Sequence, residues 1–147
     1  MAEYCTEDDL ILIRPDVMGL GVDDWSDQIA EAGLMVDRII EAEWYRPIAE
    51  ENNIDWRVTP FDRTLLLDAD TQLTRLGCYK SLELIFLHVM KHTSEDVYDK
   101  ERKLFRDMYT EELNDVMKYG LDYDWDESGA ITSDESIVPI VRRLVRV

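Results

Sequence analysis

Three stretches of helical periodicity constrain the fold more than any other feature of this sequence. Apolar residues recur every three or four positions over residues 25–44, 73–90 and 97–117. This spacing predicts amphipathic helices, each with one face in a core. The middle stretch also carries Leu84 and Leu87, so it is apolar nearly all round. We therefore expect it to be the central, most buried helix of a small bundle.

Signals for helix ends frame these stretches. Thr6, followed by three acidic residues, predicts the start of a short first helix, which Pro15 should end. Asp23 and Asp24 can cap the second helix. We expect that helix to end near Arg46, because the proline that follows disfavours the α conformation in the residue before it.

Residues 47–67 have no steady period and predict an irregular connection with about one turn of helix. Trp56 and Phe61 lie within it, and we expect both rings to pack on the protein. The third helix should then cover about residues 68–92. The fourth should end at Gly120, a residue type that favours helix ends.

The character of the chain changes after the fourth predicted helix. Acidic and apolar residues alternate over residues 121–136 around a Ser-Gly turn signal, which predicts a short β-hairpin or loop. Residues 137–147 contain three arginines and no acid, interleaved with Val, Ile and Leu, and predict an extended tail. The predicted fold is mainly α: one domain with a helical bundle over 1–120, the acidic hairpin or loop over 121–136 and the basic tail over 137–147.

The composition supports a folded, acidic globule. The chain has 147 residues, near the commonest domain size, and 46% of them are hydrophobic, enough to offset the entropy cost of ordering. There are 33 Asp and Glu against 16 Lys and Arg, a formal net charge of −17. A chain this acidic is a poor partner for a phosphate backbone, and we expect it to repel free DNA.

No segment predicts export or membrane insertion. Apolar runs such as residues 84–87 are only four residues long, far below the ~20 residues that a membrane span requires. The N-terminus lacks the basic and apolar regions of a secretory signal. We therefore expect synthesis in the cytosol, with Cys5 and Cys78 as free, buried thiols rather than a disulfide.

An acidic loop over residues 124–135 matches a twelve-residue EF-hand calcium loop in register. Two features depart from that pattern. Ser128 takes the place of an Asp or Asn at the fifth position, and Gly120 leaves no entering helix next to the loop. An acidic turn closed by Ser128 and Gly129 is the alternative, so calcium is an optional ligand. The predicted ligands are Asp124, Asp126, Ser128, Ala130, Thr132 and Glu135.

Two histidines lie four residues apart in the third predicted helix, a spacing that can place both imidazoles on one face. No acidic residue stands one turn before His88 on that face, so we interpret His88 and His92 as a partly buried pair rather than a zinc site. The sequence contains no signature of nucleophilic catalysis, of a phosphate-binding loop or of dinucleotide binding. We expect neither an enzyme nor a required cofactor.

The order of parts along the chain carries a further indication. A short acid-capped first helix is followed by two long helices on either side of a Trp-containing loop, with Tyr79 in the central helix. The sequence DYDWDESGAITSDE over residues 122–135 then precedes Arg142, Arg143 and Arg146. This layout, which spans nearly the whole chain, resembles the head-tail connector (adaptor) proteins of tailed bacteriophages.

The resemblance implies a structural subunit of the virion, located at the head-tail junction and assembled in the host cytoplasm. Twelve copies would form a ring beneath the portal protein, extend the DNA channel without binding DNA specifically, and offer a surface to the next neck protein, a stopper or a tail terminator. It implies no catalysis and no membrane. Within that arrangement we predict that the tail docks on the portal through Ile137, Val138, Ile140, Val141, Arg142, Arg143, Leu144, Val145, Arg146 and Val147.

Two other functions stay open at the level of sequence. One is a calcium-binding helical module switched by the acidic loop, and the other is an acidic DNA mimic that inhibits a nucleic-acid enzyme. The net charge of −17 is the only argument for the mimic. Binding to a portal protein would distinguish the connector from both alternatives, whereas retention of a nuclease or polymerase would indicate a mimic.

Overall fold

The computed structural model describes residues 3–20, 24–92, 96–125 and 127, and this part of the chain is mainly helical. The predicted mainly α fold is therefore confirmed. Within the described residues, no helix has the length and apolar character needed to cross a membrane. The helices are α1 (Glu7–Ile13), α2 (Ser26–Ile40), α3 (Arg46–Glu51), α4 (Ala69–Gln72), α5 (Thr74–His92) and α6 (Asp96–Tyr119), with a π-helical turn at Glu41–Tyr45 and 3-10 turns at Val17–Gly19 and Arg63–Leu65.

The chain divides into two compact units, each made of two separated pieces of sequence. The first unit contains Met1–Val36 and Leu73–Leu113. The second contains Asp37–Gln72 and Asn114–Val147. The predicted single domain, with boundaries after residues 120 and 136, stays a prediction.

Two large aromatic side chains organise the core of the first unit. Trp25 is fully buried, and its Nε1 donates a hydrogen bond to the carbonyl oxygen of Val17 at 2.9 Å. Phe86 of α5 is also fully buried and stacks on Phe105 of α6, with ring centroids 5.7 Å apart. Burying a side chain of this size contributes about 2–3 kcal/mol. The same core includes Cys5, Leu10, Ile29, Cys78, Leu82, Ile85 and Val89.

The predicted ends of the first and last helices are confirmed. Thr6 caps α1, and its side chain accepts a hydrogen bond from the N–H of Asp9, whose carboxylate accepts from the N–H of Thr6. This reciprocal pair satisfies donors that the first helical turn leaves unpaired. At the end of α6, Gly120 has a φ of 81°, and its N–H donates to the carbonyl of Val116 at 2.9 Å.

The predicted apolar stripe of the second helix is also confirmed, because its members are all buried at helical spacing. Asp24 accepts a hydrogen bond from the N–H of Ser26, the first residue of α2. Of the two isoleucines that could continue the stripe, Ile40 is fully buried and Ile39 is only half-buried. The buried stripe consists of Trp25, Ile29, Ala32, Val36, Ile40 and Trp44.

The predicted end of that helix at Arg46 is wrong, because the chain stays helical through Glu51. Arg46 adopts the α conformation, with φ −59° and ψ −47°, although Pro47 follows it. The π-helical turn just before explains this, since the N–H of Arg46 bonds to the carbonyl of Glu41, five residues back. A widened turn accommodates the proline ring, which would contact a carbonyl in a regular α-helix.

The connection after α3 is irregular, as predicted, apart from one 3-10 turn. Trp56 lies in it and packs against the guanidinium of Arg46, whose Cζ is 4.0 Å from the ring centroid. The predicted third helix is interrupted at Leu73, between α4 and α5. α5 is the most buried of the described helices, as expected, although Leu84 is only half-buried and Leu87 is 36% exposed.

Candidate functional site

The second unit contains a cluster of five aromatic residues, Trp44, Tyr45, Phe61, Tyr123 and Trp125, which we call the aromatic cluster. Tyr45 stacks on Trp125 with ring centroids 5.3 Å apart and planes 7° from parallel. Tyr123 contacts Trp125 edge to face at 4.7 Å and stacks on Phe61 at 5.6 Å. Each such pair contributes about 0.5–1.5 kcal/mol beyond area burial. The cluster therefore holds residues 121–125 firmly.

Backbone hydrogen bonds fix the same segment from its other side. Tyr123 forms an isolated antiparallel bridge with Leu66. The N–H of Leu67 donates to the carbonyl of Asp122 at 3.0 Å, and the N–H of Asp124 donates to the carbonyl of Leu65 at 2.9 Å. The first residues of the predicted acidic hairpin or loop are thus paired with residues 65–67.

An open groove of about 540 Å³ adjoins the aromatic cluster. Tyr123 lines this groove, and its phenol oxygen accepts a hydrogen bond from the N–H of Asp62 at 3.1 Å. Burial raises the pKa of the Tyr123 phenol to about 12. Burial, and then the nearby Glu41 carboxylate, also raises the pKa of Tyr45. The lining residues are Asp37, Glu41, Val58, Thr59, Pro60, Phe61, Asp62, Arg63, Leu65, Tyr123 and Glu127.

The groove is acidic and aromatic. Its lining has four carboxylates and one guanidinium, that of Arg63, which pairs with Asp37 at 3.2 Å. Glu41 also pairs with Arg46, at 3.1 Å. Carboxylates beside aromatic faces suit cationic side chains, above all arginine. Two of the four carboxylates already pair with arginines, and the groove has the side-chain chemistry to bind a further cationic side chain.

The predicted calcium loop falls almost wholly outside the described residues. Of its six predicted ligands, only Asp124 is described, and it is 3% exposed. The N–H of Glu127 donates to the carbonyl of Asp124 at 3.3 Å, and Glu127 has a φ of 56°. The chain therefore turns sharply within the first four positions of the loop. Asp126, Ser128, Ala130, Thr132 and Glu135 lie outside the described residues.

Of the predicted histidine pair and the predicted portal-docking tail, the structure describes only the side chain of His88. His88 contacts Trp25 edge to face, with ring centroids 5.8 Å apart, in the first unit. The side chain of His92 is outside the description, so the histidine pair stays a prediction. The predicted portal-docking residues, Ile137, Val138, Ile140, Val141, Arg142, Arg143, Leu144, Val145, Arg146 and Val147, also lie outside it.

A second group of chemically capable side chains lies in the first unit. Cys5 and Cys78 are both buried, and their Sγ atoms are 2.7 Å apart. A carboxylate oxygen of Asp9 is within 4.8 Å of both sulfurs. The two thiols are buried, as the sequence indicated. Their proximity was not foreseen, because 73 positions separate the cysteines in the chain.

Comparison of the chain with protein-family models, with curated proteins and with solved structures finds no match.

Proposed function

We propose that this chain is a subunit of the head-tail connector of a tailed bacteriophage. The support is the order of its parts together with a mainly helical fold. The observation that carries the proposal concerns residues 122–135, whose sequence most resembles the C-terminal region of that family. Their first residues, from Asp122 to Trp125, follow the glycine end of α6 and are held by the aromatic cluster and by residues 65–67.

In this proposal the subunits form a ring beneath the portal and extend its channel. A net charge of −17 per chain suits the wall of such a channel, because DNA is repelled by acidic surfaces and slides past them. The role is structural rather than catalytic. The surface away from the portal receives the next neck protein, a stopper or a tail terminator.

The acidic hairpin or loop and the extended tail have separate roles in the proposal. Residues 121–136 present the acidic segment, and residues 137–147 reach the portal. The tail alternates Val, Ile and Leu with Arg142, Arg143 and Arg146. Such a sequence suits an added strand whose backbone bonds to a neighbour while its arginines meet carboxylates.

Negative-stain electron microscopy of the purified chain mixed with the portal protein of the same virus tests the proposal. We expect an extra ring of density on one end of the portal. A portal that looks identical with and without an excess of the chain would contradict a connector role. Recovery of a host nuclease or polymerase with the chain, in place of portal, would indicate the DNA mimic.

A truncation separates the tail from the rest of the chain. Deleting residues 137–147 should leave the helical circular dichroism spectrum intact and abolish portal binding. Replacing Arg142, Arg143 and Arg146 by Glu should weaken binding more than replacing them by Ala, because like charges would then face the carboxylates of the portal. The matched control is Arg106→Glu, on the exposed side of α6, which should leave portal binding unchanged.

If the truncated chain unfolds, or if it binds portal as tightly as the full-length chain, the proposed role of the tail is wrong. A loss of binding in Arg106→Glu equal to that of the tail variants would point to overall charge rather than to the tail. If portal mixed with the truncated chain still shows the extra ring, the connector role stands and only the docking role of residues 137–147 is wrong.

One observation favours calcium binding as a second candidate property. The turn from Asp124 to Glu127, with its left-handed residue at Glu127, curls the chain at the start of the EF-hand-like loop. Calcium at a hundredfold excess over its Kd should raise the free energy of unfolding by about 2.7 kcal/mol. Glu135→Ala should remove most of that gain, whereas Glu111→Ala, at an exposed position of α6, should keep it. Equal melting temperatures in calcium and in chelator would show that the loop does not bind calcium.

A further inference from the structure

The two cysteines of the chain meet in the core of the first unit. Cys5 is 2% exposed and Cys78 is 1% exposed. Their Sγ atoms are 2.7 Å apart, with a carboxylate oxygen of Asp9 close by. Cys5 belongs to the segment before α1, and Cys78 lies in the first turns of α5. The contact therefore joins the N-terminal segment to a buried helix.

A glycine next to Cys78 makes this close approach sterically allowed. A Cβ at Gly77 would lie 2.8 Å from the Cβ of Tyr4 and 3.6 Å from the Cβ of Cys5. No side chain larger than hydrogen fits at position 77 unless the N-terminal segment moves away. The segment is also held after Cys5, where Thr6 caps α1 through its reciprocal hydrogen bonds with Asp9.

The geometry favours a bond between the sulfurs over a metal ion between them. Two thiolates on one tetrahedral zinc, each at about 2.3 Å, are about 3.8 Å apart, so the cysteines would have to separate. The Asp9 carboxylate is already an acceptor for the N–H and the Oγ1 of Thr6, both at 2.9 Å. A metal would compete with that cap. A disulfide needs an S–S distance of about 2.05 Å and leaves the cap in place.

We propose that Cys5 and Cys78 are a reversible disulfide site, which closes by exchange with a low-molecular-weight disulfide and fastens the N-terminal segment to α5. One cysteine thiolate attacks a sulfur of oxidised glutathione, so that a mixed disulfide forms and one glutathione thiolate leaves. The second cysteine, as thiolate, attacks the protein sulfur of the mixed disulfide and releases the second glutathione. The two protein thiols lose two protons and two electrons, and the reagent gains them as two thiols.

The environment of the pair makes this exchange slow while the segment is closed. The hydrogen bond to Cys78, and then burial, raise the pKa of the Cys5 thiol well above its ordinary value. The thiolate is the reactive form and is therefore scarce at neutral pH. The pair stays reduced in a reducing compartment and closes after longer exposure to an oxidising one.

The experiment uses the full chain, first reduced and then incubated with mixtures of reduced and oxidised glutathione. Samples are quenched with an alkylating reagent, unfolded and analysed by intact mass and by peptide mapping. We expect a single product about 2 Da lighter than the reduced chain, with no alkylated cysteine and with Cys5 linked to Cys78. The equilibrium constant for closure in the folded chain should exceed that in concentrated guanidinium by at least about 100-fold, because folding holds the thiols together.

Variants test the geometry. Gly77→Ala should reduce the closure constant at least about tenfold, because a Cβ there displaces Tyr4 and with it Cys5. Gly19→Ala is the matched control, since nothing lies within 4 Å of a Cβ at that position, and it should close like the unmodified chain. In Cys5→Ser, Cys78 should form a mixed disulfide with glutathione that persists, because no second thiol is present to displace the glutathione.

Three results would overturn the proposal. One is a folded chain that keeps two alkylatable thiols at oxidant ratios that close the unfolded chain. Another is a product that stops at the mixed disulfide or links two chains. The third is stoichiometric protection of both thiols by micromolar zinc, which would make the pair a metal site. The comparison of folded and unfolded chain decides the matter even if Gly77→Ala fails to fold.

Discussion

Gly120 ends α6 in a conformation that costs other residues free energy. Its φ of 81° lies in the left-handed region, where a Cβ approaches the carbonyl oxygen. Its N–H nevertheless closes the last turn by bonding to the carbonyl of Val116. One residue type thus determines where the longest described helix stops and where the segment that leads into the aromatic cluster starts.

Gly120→Ala should lower the free energy of unfolding by about 1 kcal/mol, because the Cβ of alanine is sterically disfavoured in the left-handed conformation that glycine adopts freely. Urea denaturation followed by circular dichroism measures the change. Gly19→Ala is the control, since Gly19 has open space around its Cβ position and lacks a positive φ. Equal losses at the two positions would contradict the role of backbone conformation.

At the scale of elements, residues 121–125 are ordered without being a strand of a sheet. One antiparallel bridge to Leu66 and the aromatic cluster hold them. Tyr123 is central to both, because it contacts Phe61 and Trp125 and its phenol accepts the hydrogen bond from the N–H of Asp62. Its side chain is 2% exposed, so the charge of a phenolate would be poorly solvated there.

The raised pKa of Tyr123 predicts a loss of stability at alkaline pH. The folded pKa of about 12 lies above an unfolded value of about 10, so the folded state binds the phenol proton more tightly. The resulting stability, roughly 3 kcal/mol, is fully present below pH ~10 and is lost as the pH rises towards ~12. Urea denaturation across this range should show the decline in the unmodified chain. Tyr123→Phe should reduce the slope by the share of this phenol and leave the part that the raised pKa values of Tyr45 and Cys5 contribute, whereas Tyr119→Phe, at a residue 66% exposed, should retain the full slope.

The disulfide proposed between the N-terminal segment and α5 also acts at this scale. It would close a loop between positions 73 apart, which restricts the unfolded chain and should stabilise the fold by about 4 kcal/mol. Urea denaturation of the oxidised and reduced chain measures the difference. Cys78→Ser, treated with the same oxidant, should show no gain. An oxidised chain no more stable than the reduced one would mean that closing the bond strains the native structure.

At the scale of the whole molecule, net charge dominates association. Each chain carries −17, so neighbouring copies in the proposed ring would repel one another. The purified chain should therefore be a monomer or a weak oligomer until a partner assembles it.

Salt should favour ring formation between these chains. Raising ionic strength from about 0.1 M to 1 M shortens the screening length from about 10 Å to about 3 Å, which weakens the repulsion between subunits. The fraction of the chain in oligomers, measured by analytical ultracentrifugation without portal so that the arginine contacts of the tail do not enter, should rise with salt at fixed protein concentration. Oligomers that dissociate as salt increases would show that attraction between opposite charges holds the subunits together.

The sequence by itself determined the helices, because their causes are local. Apolar residues at helical spacing, a capping threonine at position 6 and a glycine at position 120 act within a few residues, and each was recognisable in the one-dimensional pattern. The buried stripe from Trp25 to Trp44 followed from the same periodicity. The predicted helix end at Arg46 was wrong because a π-helical turn before it accommodates the proline. Helix propensities describe regular α-helices only and do not predict such a turn.

Only the tertiary structure decided which distant residues meet. It pairs Cys5 with Cys78, 73 positions apart, and it assembles the aromatic cluster from three separate segments. Periodicity shows which side of an element is buried but not which element covers it, because side-chain packing is decided in three dimensions. The groove, the raised pKa of Tyr123 and the thiol pair all depend on such contacts. The positions of the long helices α2, α5 and α6 could therefore be predicted from the sequence, whereas α3 and the chemical environment of the side chains between the helices required the fold.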